Sequence, residues 1–322
     1  MPNGAGMVLE DRIVYAGGEY QRYGDVRVGL LTHGLQYGTG CFEGVRGFWN
    51  PEHGELYLLQ LEDHYVRLAA SAKVLFMTLP LSPAKLAELT VELCRRNEYR
   101  EDVYIRPVIY KSSEDVGVRL HGVNQAFAII VIPFDRYFDS SLGLNACVSS
   151  WRRIDDTIAP ARGKITGIYV NSALAKTEAQ LNGFDEAIFL SHDGHVAEGS
   201  AENIFLVKKN RLYTPDATQN ILEGITRSNV LTITKDELGI EVVERAIDRS
   251  ELYGAEEIFF TGSAAGIQWV RSVDHRVVGE GAEGPVVRAI SRLYNDAIRG
   301  RIPRYQQWLT GAYAAERAVS VS

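Results

Sequence analysis

The run QAFAIIVIPF, residues 125–134, constrains the fold more than any other stretch of the chain. It is apolar at nearly every position, so a strand built from it must be central, with neighbours on both sides. Candidate neighbours lie close in sequence. DVYIRPVIYK (102–111) reads as a strand, and GCFEGVRGFW (40–49) and ELYLLQ (55–60) read as two more around the turn NPEHG. Two helices are available to cover such a sheet. LEDHYVRLAASAKVL (61–75) has its apolar residues at helical spacing, with Glu62 and Asp63 in the first turn, where the helix dipole favours acids. SPAKLAELTVELCRRNE (82–98) opens with Ser82 as N-cap and Pro83 at the first helical position.

The pattern breaks at DRYFDSSLGLN, residues 135–145, which is polar and glycine-containing. Such a stretch predicts a domain junction: an N-terminal α/β domain over 1–134, an interdomain loop over 135–145 and a C-terminal domain over 146–322. Beyond it, ARGKITGIYVNSALAKTEAQL turns from a glycine-punctuated turn into an alanine-rich helix. The hairpin-like DEAIFLSHDGHVAEGSAENIFLVKKNRLYTP follows, then the helix ITRSNVLTITKDEL, a strand pair around EIFFTGSAAGIQWV and the helix GPVVRAISRLYNDAIRG. Strands clustered apart from helices in both halves predict an α+β fold.

A formal net charge of -7 over 322 residues argues against nucleic acid or an anionic membrane as the principal partner. No apolar run reaches the length of a membrane span. The start, MPNGAGMVLEDRIVY, has neither the basic region nor the apolar core of a secretion signal. Cys41, Cys94 and Cys147 are few and far apart, as suits reduced thiols in a cytoplasmic protein. The histidines show no metal-ligand spacing, and His192 and His195 read as flanking a turn at Asp193-Gly194, so no metal is expected.

Among eight lysines, two share one segment. Lys164 follows Gly163 at the junction of an extended stretch and a helix, where glycines let backbone approach a ligand and a lysine can be desolvated into a nucleophile. Lys176 lies on the helix that follows, with Glu178 nearby, and reads as a solvated charge; Lys111, ending a strand, reads as surface. By residue pattern alone a loop lysine is most often just exposed. VAEGSAENIF places Glu198 and Glu202 around small residues before an apolar strand: either a glutamate for a cationic ring nitrogen, or a capped turn with both acids in water. LEGITRS opens a helix, so its amides and Thr226 suit a phosphate, and FTGSAAG suits an anion nest, although plain caps look the same. Tyr104 and Arg106 are two apart on a strand and share a face, as a carboxylate-reading pair or a solvent-facing one.

Taken in order, HGLQYGTGCFEGVRGF, YIRPVIYKSSEDVGV, SSWRRIDDTIAPARGKITGIYVNSALAKTEA, EGSAENIF and LEGITRSNV resemble the branched-chain amino-acid aminotransferases, within the fold-type IV pyridoxal-phosphate enzymes. The likeness runs from about residue 10 to about residue 300. It implies a two-domain fold, a smaller N-terminal α/β domain and a larger C-terminal pseudo-barrel, with the cofactor pyridoxal 5′-phosphate between them. It implies Lys164 as the Schiff-base lysine, Glu198 at the pyridine nitrogen, Tyr169 at the phenolic oxygen and Arg67 at the phosphate. Ile225, Thr226 and Ser263 would add phosphate contacts and Leu222 would pack on the ring, with Asn203, Gly224 and Gly262 completing the cofactor set. For substrate it implies Tyr104 with Ser263, Ala264 and Ala265 at the α-carboxylate, Arg106 at the distal carboxylate of glutamate, Arg46 nearby, and Tyr37, Phe42, Val118, Phe134 and Tyr137 as pocket walls.

The implied reaction is ping-pong transfer of an amino group between leucine, isoleucine or valine and 2-oxoglutarate through a Lys164 aldimine. The implied partners are these small molecules and at least a second copy of the chain, since one subunit's loop usually completes the other's pocket. Gly266 and Gln268-Trp269 depart from the family pattern, as do Ser263 for threonine and Phe134 for tryptophan; all lie toward the substrate end and bear on specificity. The rivals are D-amino-acid or R-amine transamination and aminodeoxychorismate lysis on the same fold, a non-catalytic metabolite-binding protein, and a cofactor-free lysine aldolase.

Overall fold

The computed structural model describes residues 9–135, 138 and 142–313. Packing divides the chain into two units: Met1–Asp135 with Gly163–Gly167 and Asp296–Ser322, and Arg136–Arg162 with Ile168–Asn295. The turn that carries Lys164 therefore packs with the first unit. The expected boundaries gave that turn and the C-terminal stretch to the second domain. Main-chain pairing accounts for the difference: Ile165 bridges to Cys41, and a C-terminal strand, Leu309–Gly311, pairs with residues 57–59.

The first unit is one antiparallel sheet with helices. Its strands are β1 (Ile13–Ala16), β2 (Glu19–Arg22), β3 (Gly40–Phe42), β4 (Val45–Asn50), β5 (Glu55–Leu59), β6 (Val103–Lys111) and β7 (Gln125–Pro133). The order runs from the C-terminal strand through β5, β4, β6, β7 and β1 to β2, with β3 also paired to β6. The apolar run does become an interior strand, β7, between β6 and β1. β6 alternates strictly between buried and half-buried residues, the mark of a strand with one face in the core. Helices α2 (Leu61–Val74) and α3 (Pro83–Arg96) follow the expected pattern, a short helix α1 (His33–Tyr37) adds to them, and the Ser82 hydroxyl caps α3 by accepting from the Lys85 N–H. α2 and α3 pack on each other and on β3, β1 and β7, burying Leu68, Leu86 and Leu93 completely. Each such side chain contributes about 1.5–3 kcal/mol relative to exposure.

Residues 40–49, read as one strand, form two. The register runs unbroken from Phe42 opposite Val108 to Val45 opposite Ile105, but ladder pairing lapses at Glu43 and Gly44. The residue opposite Glu43 is Pro107. It accepts the Glu43 N–H at 2.9 Å but has no N–H to return. Lys111 is also corrected: it is buried, and its Nζ donates to the Phe76 carbonyl at 2.8 Å.

The second unit is a mixed nine-stranded sheet: β8 (Leu144–Arg152), β9 (Glu186–Leu190), β10 (Val196–Gly199), β11 (Asn203–Lys208), β12 (Arg211–Thr214), β13 (Val242–Glu244), β14 (Glu257–Gly262), β15 (Gly266–Val273) and β16 (Arg276–Val277). The order is β10-β9-β8-β15-β14-β11-β12-β13, with β16 on β15; β8 runs parallel to β9 and β15, and β12 to β13. A core of Ile188, Ile204, Ile258, Phe260 and their neighbours lies on it. Helices α4 (Tyr169–Leu181), α5 (Ile225–Leu238) and α6 (Pro285–Ile298) complete the regular elements.

Candidate active site

Lys164 is half-buried, on a turn held by main-chain contacts. Its carbonyl accepts the Phe42 N–H at 3.1 Å, and its N–H donates to the Ser71 hydroxyl at 3.1 Å. The Gly167 N–H and the Thr166 hydroxyl both donate to the Gly38 carbonyl, at 3.0 and 2.8 Å. Gly38 has φ 65°, and a Cβ there would lie 2.6 Å from the Gly167 Cα, so the approach requires glycine. The Lys164 Nζ lies 5.1 Å from the centre of the Phe42 ring.

Several residues assigned to substrate gather with Lys164 in the first unit. The Arg106 guanidinium stands 4.3 Å from the Phe42 ring, and its Nη2 donates to the Tyr104 hydroxyl at 2.8 Å, so the pair does share a face. The Arg106 Nε is buried and has no hydrogen-bond partner among the described residues. The Tyr104 and Phe134 rings lie 5.4 Å apart. Arg46 is buried, stacks 4.8 Å from Phe134 and donates to the carbonyls of Phe134 and Asp135. Tyr37 and Val118 are both exposed, on two segments joined where the Gly117 N–H donates to the Tyr37 hydroxyl at 3.2 Å. Tyr137 lies outside the described residues. From α2, Arg67 presents a guanidinium clasped by Glu43 at 2.7 and 2.8 Å.

In the second unit, Glu198 on β10 is 6% exposed, and Glu202 is 4% exposed. The reading that leaves both acids in water is thus excluded. The Glu198 carboxylate forms an ion pair with Arg153, Nε to Oε1 2.9 Å, and accepts from Asn203 Nδ2 at 3.1 Å and the Leu222 N–H at 3.0 Å. Gly224 is the N-cap of α5 and offers no side-chain cap, so the amides of Ile225 and Thr226 begin a helix that has no internal acceptor for them. A Cβ on Gly224 would collide with the Asn203 amide oxygen. Gly262 ends β14, and Ser263 to Ala265 form the half-buried turn to β15. Tyr169 is the first residue of α4 and half-buried.

Lys176 is corrected too. Its Nζ donates to Glu186 Oε2 at 2.5 Å and to the Asp185 carbonyl at 2.6 Å, and Glu186 is fully buried. The other Glu186 oxygen accepts the Ser200 N–H at 3.3 Å, and Glu202 accepts the Ala201 N–H at 3.0 Å. These contacts brace the turn between Glu198 and Asn203. Burial, reinforced by the charge of Glu186, pushes the Glu202 carboxyl up to about 8.

Arg153, Glu43 and Glu186 were not singled out from the sequence. An acid interrupting the apolar strand GCFEGVRGFW was a usable signal for Glu43. Arg153 in SSWRRIDDT had none beyond its charge.

Each unit holds groups that suit pyridoxal 5′-phosphate: the first an amine on a fixed turn, the second a buried carboxylate held among cationic and amide donors and a helix N-terminus with no side-chain cap. The family model for amino-transferase class IV matches residues 40–273, and the chain belongs to that family. It is a pyridoxal-phosphate-dependent transaminase of fold-type IV. A probable branched-chain-amino-acid aminotransferase of Aquifex aeolicus is 48% identical over 289 residues, spanning 90% of this chain and 93% of that protein. The crystal structure of branched-chain aminotransferase from Thermoproteus uzoniensis with norvaline superposes with a TM-score of 0.90 at 41% identity, covering 94% of this chain and 99% of that one. The T.th. branched-chain amino acid aminotransferase, complexed with N-(5′-phosphopyridoxyl)-L-glutamate, gives 0.89 at 37% identity, with 94% and 99% coverage. Its relatives are thus branched-chain aminotransferases along nearly their whole length.

Proposed function

We propose that the protein transfers the amino group between the branched-chain L-amino acids leucine, isoleucine and valine and 2-oxoglutarate, giving branched-chain 2-oxo acids and L-glutamate. The observation that carries this reading is the Phe42, Tyr104, Arg106 and Phe134 cluster beside Lys164. One pocket must accept an apolar and an anionic side chain in alternate half-reactions. Phe42 and Phe134 supply apolar wall. Arg106, whose buried Nε has no hydrogen-bond partner among the described residues, supplies the cation without which burying a carboxylate is strongly unfavourable. The glutamate adduct of the T.th. enzyme supports the anionic half of this reading, and the norvaline of the T. uzoniensis enzyme the apolar half.

Bound pyridoxal phosphate supplies the carbon that receives the amine and a ring that delocalises the electron pair left on the substrate Cα. In this reading Lys164 holds the cofactor and carries the proton at Cα. Glu198, kept in place by Arg153, Asn203 and the Leu222 amide, keeps a negative charge at the ring nitrogen. Tyr169 donates to the phenolic oxygen, and Leu222 packs on the ring. Arg67, Ile225, Thr226 and Ser263 bind the phosphate, with Gly224 and Gly262 allowing close approach. Tyr104 and the amides of Ser263, Ala264 and Ala265 orient the α-carboxylate.

The protein works at least as a homodimer in this reading. Leu30, Leu35, Tyr37, Val116 and Val118 are exposed on two joined segments of the first unit, an apolar surface suited to a second copy. In this reading Tyr37 and Val118 wall the partner's pocket. Among the described residues no helix is long and apolar enough to cross a membrane.

Initial rates with L-leucine, L-isoleucine, L-valine, D-alanine and an R-arylamine, each with 2-oxoglutarate, test the reading. The three branched-chain amino acids should give the highest kcat/KM. Inactivity with all three beside good D-alanine turnover would sink it. Light scattering of the pure protein tests the dimer.

A further inference from the structure

Glu43 has no part in the reading above, yet it is the most enclosed acid near Arg67. It sits where Pro107 interrupts the ladder and is fully buried. Its Oε1 accepts Arg67 Nε at 2.7 Å and its Oε2 accepts Arg67 Nη2 at 2.8 Å, a two-point fork. Oε2 also faces His64 Nδ1 at 2.7 Å and the Gly44 N–H at 3.3 Å. Burial alone would raise the Glu43 pKa; the Arg67 charge and the hydrogen bonds from His64 and Arg67 overcome it and hold the carboxyl well below the usual carboxylate range. His64 is equally enclosed, and burial, opposed by Glu43, lowers its pKa.

Stability is a poor reason for such an arrangement, because a buried ion pair is often no better than apolar packing. Geometry is a better one. A single hydrogen bond leaves a guanidinium free to swing about its donor, whereas a bidentate carboxylate fixes its plane. Arg67 remains partly exposed, with 17% of its side-chain surface accessible. We propose that Glu43 is a positioning residue for cofactor binding: its carboxylate fixes the Arg67 guanidinium in the orientation that receives the phosphate. The proposal rests on the reading of Arg67 as a phosphate ligand.

Charge and geometry predict opposite outcomes, which makes the proposal testable. Glu43 carries negative charge next to a site for a phosphate. On charge alone, Glu43→Gln should tighten phosphate binding. On geometry it should loosen it, since glutamine turns an N–H donor toward the arginine donors.

The test uses the full chain, stripped of cofactor and titrated with pyridoxal 5′-phosphate and with pyridoxal, which lacks the phosphate. Binding is read from cofactor absorbance. Glu43→Gln should weaken pyridoxal phosphate binding by about 10- to 100-fold, the range for groups that orient a ligating side chain. Pyridoxal binding should be unchanged. Glu43→Asp, which keeps the charge but shortens the reach, should lose part of the phosphate preference; it also serves if Glu43→Gln does not fold. Adding Glu43→Gln to Arg67→Gln should cost no further preference, because the two act as one unit. Tighter or unchanged pyridoxal phosphate binding by Glu43→Gln overturns the proposal, as does equal weakening for both compounds. If Arg67→Gln keeps the full phosphate preference, the Arg67 reading falls and takes this proposal with it. If Arg67→Gln loses the preference and the Glu43 variants keep it, the positioning role alone is overturned.

Discussion

Two buried acid clusters, one in each unit, meet opposite fates. Glu43 lies between Arg67 and His64, with Lys164 near enough to act on His64, and is held ionised. Glu202 shares its surroundings with Glu186 and Glu198 and with one lysine, Lys176, and is held protonated at neutral pH. Both are buried to a similar degree. Burial therefore does not decide whether an interior carboxyl carries charge; the balance of cations against acids around it does. Each cluster also has its own lysine. Lys164 is the one proposed to hold the cofactor, while Lys176 supplies the cation the acids of its cluster need.

Exchanging the roles of the two lysines is the strongest way to break this contrast. Lys164→Ala should abolish turnover and the absorbance of the bound holoenzyme, with little change in thermal melting. Lys176→Ala should leave that absorbance in place. The reverse result would reassign the reactive lysine.

Lys176→Met should act instead on stability. It leaves the buried Glu186 without its cation, and breaking such a pair costs about 3–5 kcal/mol. Urea unfolding at pH 7 measures this. A loss below about 1 kcal/mol, the size of an exposed ion pair, would mean the pair is solvated after all.

The effect read along the pH axis is the most diagnostic. Glu202 titrates in the folded protein at about 8, above its ordinary value of 4.5. Between those values the unfolded chain releases a proton that the folded chain keeps, so this group erodes stability as pH rises through that window. Glu202→Gln should therefore gain on the parent protein between pH 5 and pH 8. Glu43 has the opposite sign: its contribution is present above the ordinary carboxylate pKa and lost only as pH falls through its depressed folded value. The stability difference between Glu43→Gln and the parent should stay constant across the same window. Parallel pH profiles for Glu202→Gln and the parent would contradict the contrast.

Much of the fold was legible because local physics wrote it. Ser82 and Pro83 announced α3, and the period of two in VYIRPVIYK put Tyr104 and Arg106 on one face. What stayed illegible depended on partners distant in sequence. Lys111 and Lys176 read as surface charges because nothing nearby reveals the Phe76 carbonyl or the buried Glu186. Glu198 and Glu202 look like a solvated turn until β14 and β9 are brought beside them. The split of residues 40–49 turned on one absent N–H, at Pro107, more than sixty residues further along the chain. Hydrophobic period reports which face is dry; it does not report which charges will meet there.

The turn carrying Lys164 is stitched down largely by peptide groups: Phe42 to Lys164, Cys41 with Ile165, Gly167 to Gly38. Peptide groups are the same whatever side chains the chain bears. A library randomising the side chains of Phe42, Cys41 and Ile165 should therefore yield many variants whose lysine still reacts with the cofactor, while changes at Gly38 or Gly167 should be nearly absent from the survivors. Amide hydrogen exchange would give the same lesson on a clock, with the Phe42 and Gly167 protons among the slow ones.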